Sequence, residues 1–141
     1  MSIFGAILNV ISSASEEVTS KREEYKSEFA AMSDFELKRA YRDAENSPYS
    51  NGYLDGIARL GALNKECVAR GFIISYSKAW EIRTEWKARY DKMFGWQLNS
   101  EYQELNRQYL NYWSNDSTLF QASMLKPRLK ALEQVREERS K

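Results

Sequence analysis

Three pairs of carboxylates come closest, in this chain, to residues that could do acid–base chemistry. They are Glu16–Glu17, Glu23–Glu24 and, one helical turn apart, Glu81–Glu85. A catalytic pair needs burial or a cleft that separates the pKa values of its two carboxyl groups. All three pairs lie among lysines and arginines in strongly polar stretches, a pattern typical of a solvated helix face. We therefore expect no carboxylate-based catalysis.

Histidine is absent and Cys67 is the single cysteine. A serine or cysteine nucleophile thus lacks its usual base, and a metal site lacks the commonest ligand. One thiol can form neither an internal disulfide nor a zinc site built from thiolates, and its apolar helical setting favours a buried structural role. No glycine-rich phosphate loop or other cofactor motif occurs. We predict a non-enzymatic protein with no catalytic residue, no cofactor and no metal.

Composition predicts the fold class. The 141 residues include only two prolines and six glycines, which favours long helices, and 21 basic residues against 20 acidic ones leave a net charge of +1. We predict an all-α protein, a compact bundle of six to seven helices. An N-terminal amphipathic segment at residues 1–32 would precede a helical domain at residues 33–141, and the whole would fold as one unit.

Capping motifs predict where individual helices begin and end. Ser33 and Glu36 match a capping box, so a helix is expected over residues 34–46. A second helix, from about residue 53, should end where Gly71 supplies a left-handed cap. These two boundaries are the clearest in the sequence.

The second half of the chain carries further boundary signals. Gly95 is interpreted as another helix-ending glycine, and capping boxes are predicted at 100–103 and 118–121. Pro127 should kink the last helix or begin a new one. The charged tail at 133–141 is expected to fray.

Most of the aromatic residues lie between Phe72 and Phe120, at helical spacings. Core packing is the favoured interpretation for most of them, but so many large aromatics predict that some lie at an edge or an interface. The protein-interface candidates are Trp80, Trp86, Tyr90, Trp96, Tyr109, Tyr112 and Trp113. The alternative is stacking on single-stranded nucleic acid, with phosphates bound by Arg83, Lys87, Arg89 and Arg107. The near-neutral net charge makes nucleic acid the less favoured partner.

A seven-residue apolar repeat marks the N-terminal segment. The oligomer seam candidates are Phe4, Ile7, Ile11, Val18 and Tyr25, whether residues 3–32 form one helix or two. Packing within the chain or in a homodimer is favoured over membrane contact through residues 2–12. The apolar run lacks the basic residues of a secretory signal and is too short to span a bilayer, so we expect a cytoplasmic protein.

These observations predict that the protein functions by binding other molecules. The favoured hypothesis is a non-enzymatic helical protein that binds another protein, as an inhibitor, immunity factor or adaptor does. Single-stranded nucleic-acid binding and peripheral membrane association are the alternatives. The sequence does not identify the partner.

The heptad seam generates the first testable prediction. Sedimentation at micromolar concentration should give about twice the monomer mass of 16.5 kDa, because isologous helix pairing is the commonest way to bury such a stripe. Ile11→Asp should dissociate that dimer by placing a charge in the seam. A protein that sediments as a folded monomer both with and without this change would show that the seam is not a dimer contact.

Overall fold

A computed structural model describes the backbone of residues 3–141 and the side chains from Ser15 onward. The described chain is all-α, with six α-helices, one short 3₁₀ turn and no strand, which confirms the predicted fold class. It divides into two compact units, unit 1 at residues 1–70 and unit 2 at residues 71–141. This division differs from the boundary predicted at 32/33. Folding as one cooperative unit stays a prediction.

Unit 1 consists of three helices. They are α1 (Ile3–Ala30), α2 (Asp34–Asn46) and α3 (Tyr53–Ala69). The N-terminal segment, for which one helix or two were predicted, therefore forms one continuous helix. The capping box that begins α2 is confirmed, since Ser33 Oγ accepts from the Glu36 N–H at 3.2 Å and Glu36 Oε1 accepts from the Ser33 N–H at 3.3 Å.

Small residues on α3 allow the other two helices of unit 1 to pack closely against it. Ala58 and Ala62 are buried, and Gly61 faces the Arg22 side chain of α1. The predicted end of α3 is confirmed, since Gly71 follows with a left-handed φ of 76°. Cys67 is fully buried in α3, as expected, and burial raises the pKa of its thiol to about 12.

One arginine at the end of α3 connects all three helices of unit 1. Arg70 donates to the Asp34 carboxylate of α2 at 3.0 Å and to the Glu66 carboxylate of α3 at 2.9 Å. Its guanidinium also donates to the carbonyls of Phe29 and Ala30, at 3.1 and 3.3 Å. These carbonyls lie at the end of α1, where backbone acceptors lack partners within the helix. Arg70 therefore caps α1 while it also binds the first turn of α2.

Unit 2 consists of three helices and a short 3₁₀ turn. They are α4 (Tyr76–Tyr90), α5 (Gly95–Trp113), a 3₁₀ turn (Asp116–Thr118) and α6 (Leu119–Arg139). Both α4 and α5 pack against α6. Helices α4 and α6 are parallel, since hydrogen bonds join Ile74 to Ser123, Arg83 to Gln134, and Arg139 to the carbonyl of Tyr90.

The predicted start of α5 was wrong. Gly95 does not end a helix; it is the first residue of α5, and its φ is not left-handed. Phe94 precedes it in an extended conformation, and its N–H donates to the Gln97 side chain at 2.9 Å. Ser100, predicted to cap, lies inside the helix. A capping sequence within a helix makes no cap because the neighbouring N–H groups already have backbone partners.

The predictions for α6 were partly wrong. Thr118 does precede the helix, but its hydroxyl donates to the Tyr112 carbonyl at 2.8 Å and does not cap. The helix continues through Pro127 as one element. Residues 133–139, which were expected to fray, are helical, since α6 extends to Arg139, and Val135 is buried in the core of unit 2. Burial of the apolar face of α6 stabilises the helix at these residues, although their charged composition predicted fraying.

The contact between α3 and the loop before it generates a stability prediction. Gly56→Ala should destabilise the protein by about 1–3 kcal/mol, because a Cβ atom would overlap the Pro48 carbonyl and the Tyr49 ring. Overlap with backbone outweighs the helix propensity that alanine adds, about 1 kcal/mol. Urea unfolding followed by circular dichroism measures the change.

Gly61→Ala is the matched control on the same helix. Its Cβ would lie 3.0 Å from the Arg22 guanidinium, the far end of a flexible and exposed side chain. This variant should therefore be neutral or more stable by up to about 1 kcal/mol. Equal destabilisation by both substitutions would contradict the argument.

Candidate functional site

Unit 2 exposes four large aromatic side chains, two in the first turns of α4 and two at the start of α5. Tyr76 and Trp80 lie one turn apart on α4, with 82% and 57% of their surface exposed. Phe94 and Trp96 lie at the start of α5, with 69% and 71% exposed. Aromatic side chains of this size are normally buried in a monomeric protein, so their exposure near the two ends of α4 makes them candidates for contact with another molecule. We call these four residues the aromatic face.

The structure separates the seven predicted interface aromatics into three groups. Trp80 and Trp96 are exposed. Tyr90 is fully buried in the core of unit 2, so its assignment to an interface was wrong. The remaining four, which are half-buried, are Trp86, Tyr109, Tyr112 and Trp113. Tyr109 and Trp113 stack on each other, with 6.1 Å between ring centroids.

A network centred on Arg128 of α6 holds α4 and α5 in place. Its Nε donates to the Tyr90 hydroxyl of α4 at 2.8 Å, and its Nη2 donates to the Glu101 carboxylate of α5. The Tyr90 hydroxyl in turn donates to Glu101 at 3.1 Å. The same guanidinium lies 3.8 Å from the ring centroid of Trp86. Trp86 therefore lies on the side of α4 that faces α6, whereas Trp80 is exposed.

A groove of about 300 Å³ lies between α4 and α6, beside Trp80. The small residues Thr84 and Ala88 line it on α4, and Gln134 contributes from α6. Two cationic side chains, Arg83 and Lys87, complete this part of its wall. Because the parallel register of α4 and α6 sets which residues meet here, the sequence pattern of α4 alone could not predict the groove or the participation of Gln134.

Three of the four basic residues proposed to meet phosphates already pair with carboxylates. Lys87 lies 3.0 Å from Asp91 and 3.4 Å from Glu138, and these hydrogen bonds raise the pKa of its ammonium. The other two pairs are Arg89–Glu85 at 2.7 Å and Arg107–Glu104 at 2.6 Å. The fourth residue, Arg83, donates to the neutral Gln134 amide at 2.9 Å. Such pairing cancels most of the local positive charge that a phosphate backbone needs.

The carboxylate pairs and the cysteine take the positions expected of non-catalytic residues. All six glutamates of the three pairs are exposed, which confirms the solvated face. Among the residues that the structure describes, no cluster of three or more His, Cys, Asp or Glu side chains could hold a metal ion. The buried Cys67 thiol, with its raised pKa, is not poised as a nucleophile.

The structure describes the side chains of part of the oligomer seam. Phe4, Ile7 and Ile11 lie outside the residues whose side chains are described. Val18 and Tyr25 are half-buried, and the Tyr25 hydroxyl donates to the Asp55 carboxylate of α3 at 2.6 Å. This bond and burial raise the pKa of Tyr25 to about 12. In its described part, the seam therefore makes contacts within unit 1.

Sequence reasoning missed two members of the aromatic face. Tyr76 precedes Trp80 by four residues, a spacing that could have identified both as one side of α4. Phe94 was also not among the predicted interface residues, and Gly95 beside it was interpreted as the end of a helix. A second exposed pair, Tyr49 and Tyr53 of unit 1, was also not predicted; their rings lie 5.2 Å apart.

Comparisons with protein-family models, with curated protein sequences and with solved structures found no match. In the part of the chain with described side chains, no helix is long and apolar enough to span a membrane.

The Arg128 network generates a pH prediction. Burial raises the pKa of Tyr90 to about 12 from its ordinary value of 10.0. The unfolded chain therefore loses this proton first as pH rises, and the stability that Tyr90 contributes is complete below about pH 10 and lost towards about pH 12. Tyr90→Phe should cost about 1 kcal/mol at about pH 9 and clearly less at about pH 11.

Urea unfolding of both proteins at the two pH values measures this difference. Because Cys67 and Tyr25 also titrate in this range, the difference between wild type and variant is the quantity to compare. A difference that stays constant with pH would contradict the proposed coupling between Tyr90 and its surroundings.

Proposed function

We propose that this protein acts by binding another protein, without catalysis, as an inhibitor, immunity factor or adaptor does. The observation that carries the proposal is the exposure of Trp80 and Trp96 within the aromatic face. Tryptophan and tyrosine are the residues that most often anchor protein interfaces, because they bury a large rigid surface and retain a polar group. Their exposure in unit 2 leaves apolar area that only a partner would cover.

The surroundings of the aromatic face also favour a protein partner. Trp80 lines a groove together with the small side chains of Thr84 and Ala88 and with charged side chains. An interface of this kind has an aromatic anchor at the centre and polar groups around it. Trp86 and Tyr90, on the other side of α4, are fixed by Arg128, so the helix presents Trp80 from a rigid support.

Nucleic-acid binding has less support than protein binding. A net charge of +1 gives no general attraction to phosphates. Of the four basic candidates, only Arg83 has a neutral partner, and the other three have carboxylate partners. Titration with a labelled oligonucleotide at two salt concentrations tests this alternative, which requires an affinity that falls as salt rises.

The proposal also includes a cellular location and a mode of self-assembly. We propose a cytoplasmic location, which the single free cysteine, buried in α3, supports. For the assembly we propose pairing of two copies through the N-terminal seam. Membrane contact through residues 2–12 is the alternative for the same segment, and liposome flotation distinguishes the two.

The proposal predicts the effect of removing the exposed tryptophans. Trp80→Ala and Trp96→Ala should each weaken capture of the partner from native lysate by at least about tenfold, because hot-spot truncation costs 2 kcal/mol or more. Circular dichroism and the unfolding midpoint should stay close to those of wild type, since neither side chain is buried. Quantitative affinity capture with mass spectrometry measures the partner.

Tyr53→Ala is the matched control, because it removes a similarly exposed aromatic ring from unit 1. It should leave partner capture unchanged. Recovery of no specific partner, or equal recovery with the tryptophan variants and wild type, would refute the proposal.

A further inference from the structure

Arg83 is the cation of the α4–α6 groove that has no acidic partner in the described chain. Its Nη2 donates to the neutral amide oxygen of Gln134 at 2.9 Å. A guanidinium carries five N–H donors, and this bond uses one of them. The Arg83 side chain is half-buried and lines the groove, so its charge is directed to a partly desolvated surface. A cation in that setting gains more from a carboxylate than one in open water does.

The other basic residue of the groove is already neutralised. Lys87 is fixed between Asp91 and Glu138 at the far end of the groove. The first turn of α4, at the Trp80 end, contains no acidic residue that would offset the positive end of the helix dipole. The groove is therefore electrostatically uneven, with its uncompensated positive charge near Arg83 and Trp80.

We propose that the groove receives an acidic side chain from the bound protein, with the carboxylate on Arg83 and the aliphatic stem against the Trp80 ring. A carboxylate can accept two parallel hydrogen bonds from a guanidinium, which fixes its position as well as its charge. The short side chains of Thr84 and Ala88 leave room for the backbone that carries it. This inference rests on the proposed function and specifies the chemistry of the partner: a segment with glutamate or aspartate beside an apolar residue.

Two synthetic peptides test the proposal on the full-length protein. One is an alanine-based helix that carries leucine and glutamate along one face; in the other, every glutamate is replaced by glutamine. Binding is followed through the indole N–H resonances of the four tryptophans, with Trp80 assigned from Trp80→Phe. The acidic peptide should shift the Trp80 signal and bind roughly tenfold more tightly than the glutamine peptide.

Two arginine variants separate a specific site from general attraction. Arg83→Gln should reduce the affinity for the acidic peptide to that for the glutamine peptide. Arg107→Gln removes an exposed arginine of α5, outside the groove, and should leave the affinity unchanged. Unfolding midpoints of both variants establish that the fold is intact.

Equal binding of the two peptides, equal losses in both arginine variants, or no binding of the acidic peptide would overturn the inference. The proposed function is judged separately, by partner capture with the Trp80 and Trp96 variants. Loss of capture in those variants without any preference for the acidic peptide would leave protein binding standing and remove the carboxylate site.

Discussion

The guanidinium of Arg128 is the contact on which the arrangement of unit 2 depends. It bonds to Tyr90 of α4 and to Glu101 of α5 from its own position on α6, so three helices meet at one charged group. A half-buried charge of this kind is tolerated only when its donors have partners, and here a phenol, a carboxylate and the Trp86 ring supply them. Because the partners come from different helices, the network fixes how α4 and α5 are oriented against α6.

This constraint divides the aromatic residues of α4 between two roles. Trp86 and Tyr90 turn towards α6 and the core, where Arg128 holds them. Because that side of the helix is occupied by core contacts, Tyr76 and Trp80 remain exposed, and Trp80 lines the groove. Most of the aromatic residues were predicted to pack in the core and some to lie at an edge or an interface. On α4 both are found, with Trp86 and Tyr90 facing inward and Trp80 exposed.

Unit 1 uses an arginine in a comparable way but depends more on close backbone approach. Arg70 joins the end of α1, the start of α2 and the last turn of α3. The buried Ala58 and Ala62 keep side-chain volume low along α3, and Gly56 lets the loop at Pro48 and Tyr49 approach the helix. The cost in helix propensity is offset by packing that larger residues would prevent. These small residues are already visible in the sequence, where they recur along one predicted helix.

Local signals in the sequence were sufficient where one helix boundary depends on a few neighbouring residues. The all-α class, the box at Ser33 and Glu36, the end of α3 at Gly71 and the burial of Cys67 were all predicted correctly. Such features depend on backbone groups within one turn, and the sequence contains all of their partners. The same rule failed at Gly95, which begins a helix instead of ending one, and at Ser100, whose capping pattern lies inside that helix.

The candidate site depended on contacts between residues distant in sequence. The aromatic spacing of α4 identified Trp80 and Trp86 together, and nothing in that spacing tells which of them faces outward. Arg128, about forty residues further along the chain, decides it by drawing Trp86 and Tyr90 inward. Likewise the groove exists because α6 lies parallel to α4 and places Gln134 beside Arg83. The sequence by itself determined that this chain forms capped helices rich in aromatic side chains. Only the tertiary structure decided which aromatics are exposed, because exposure is set by the neighbours that a helix face meets and not by the residues within it.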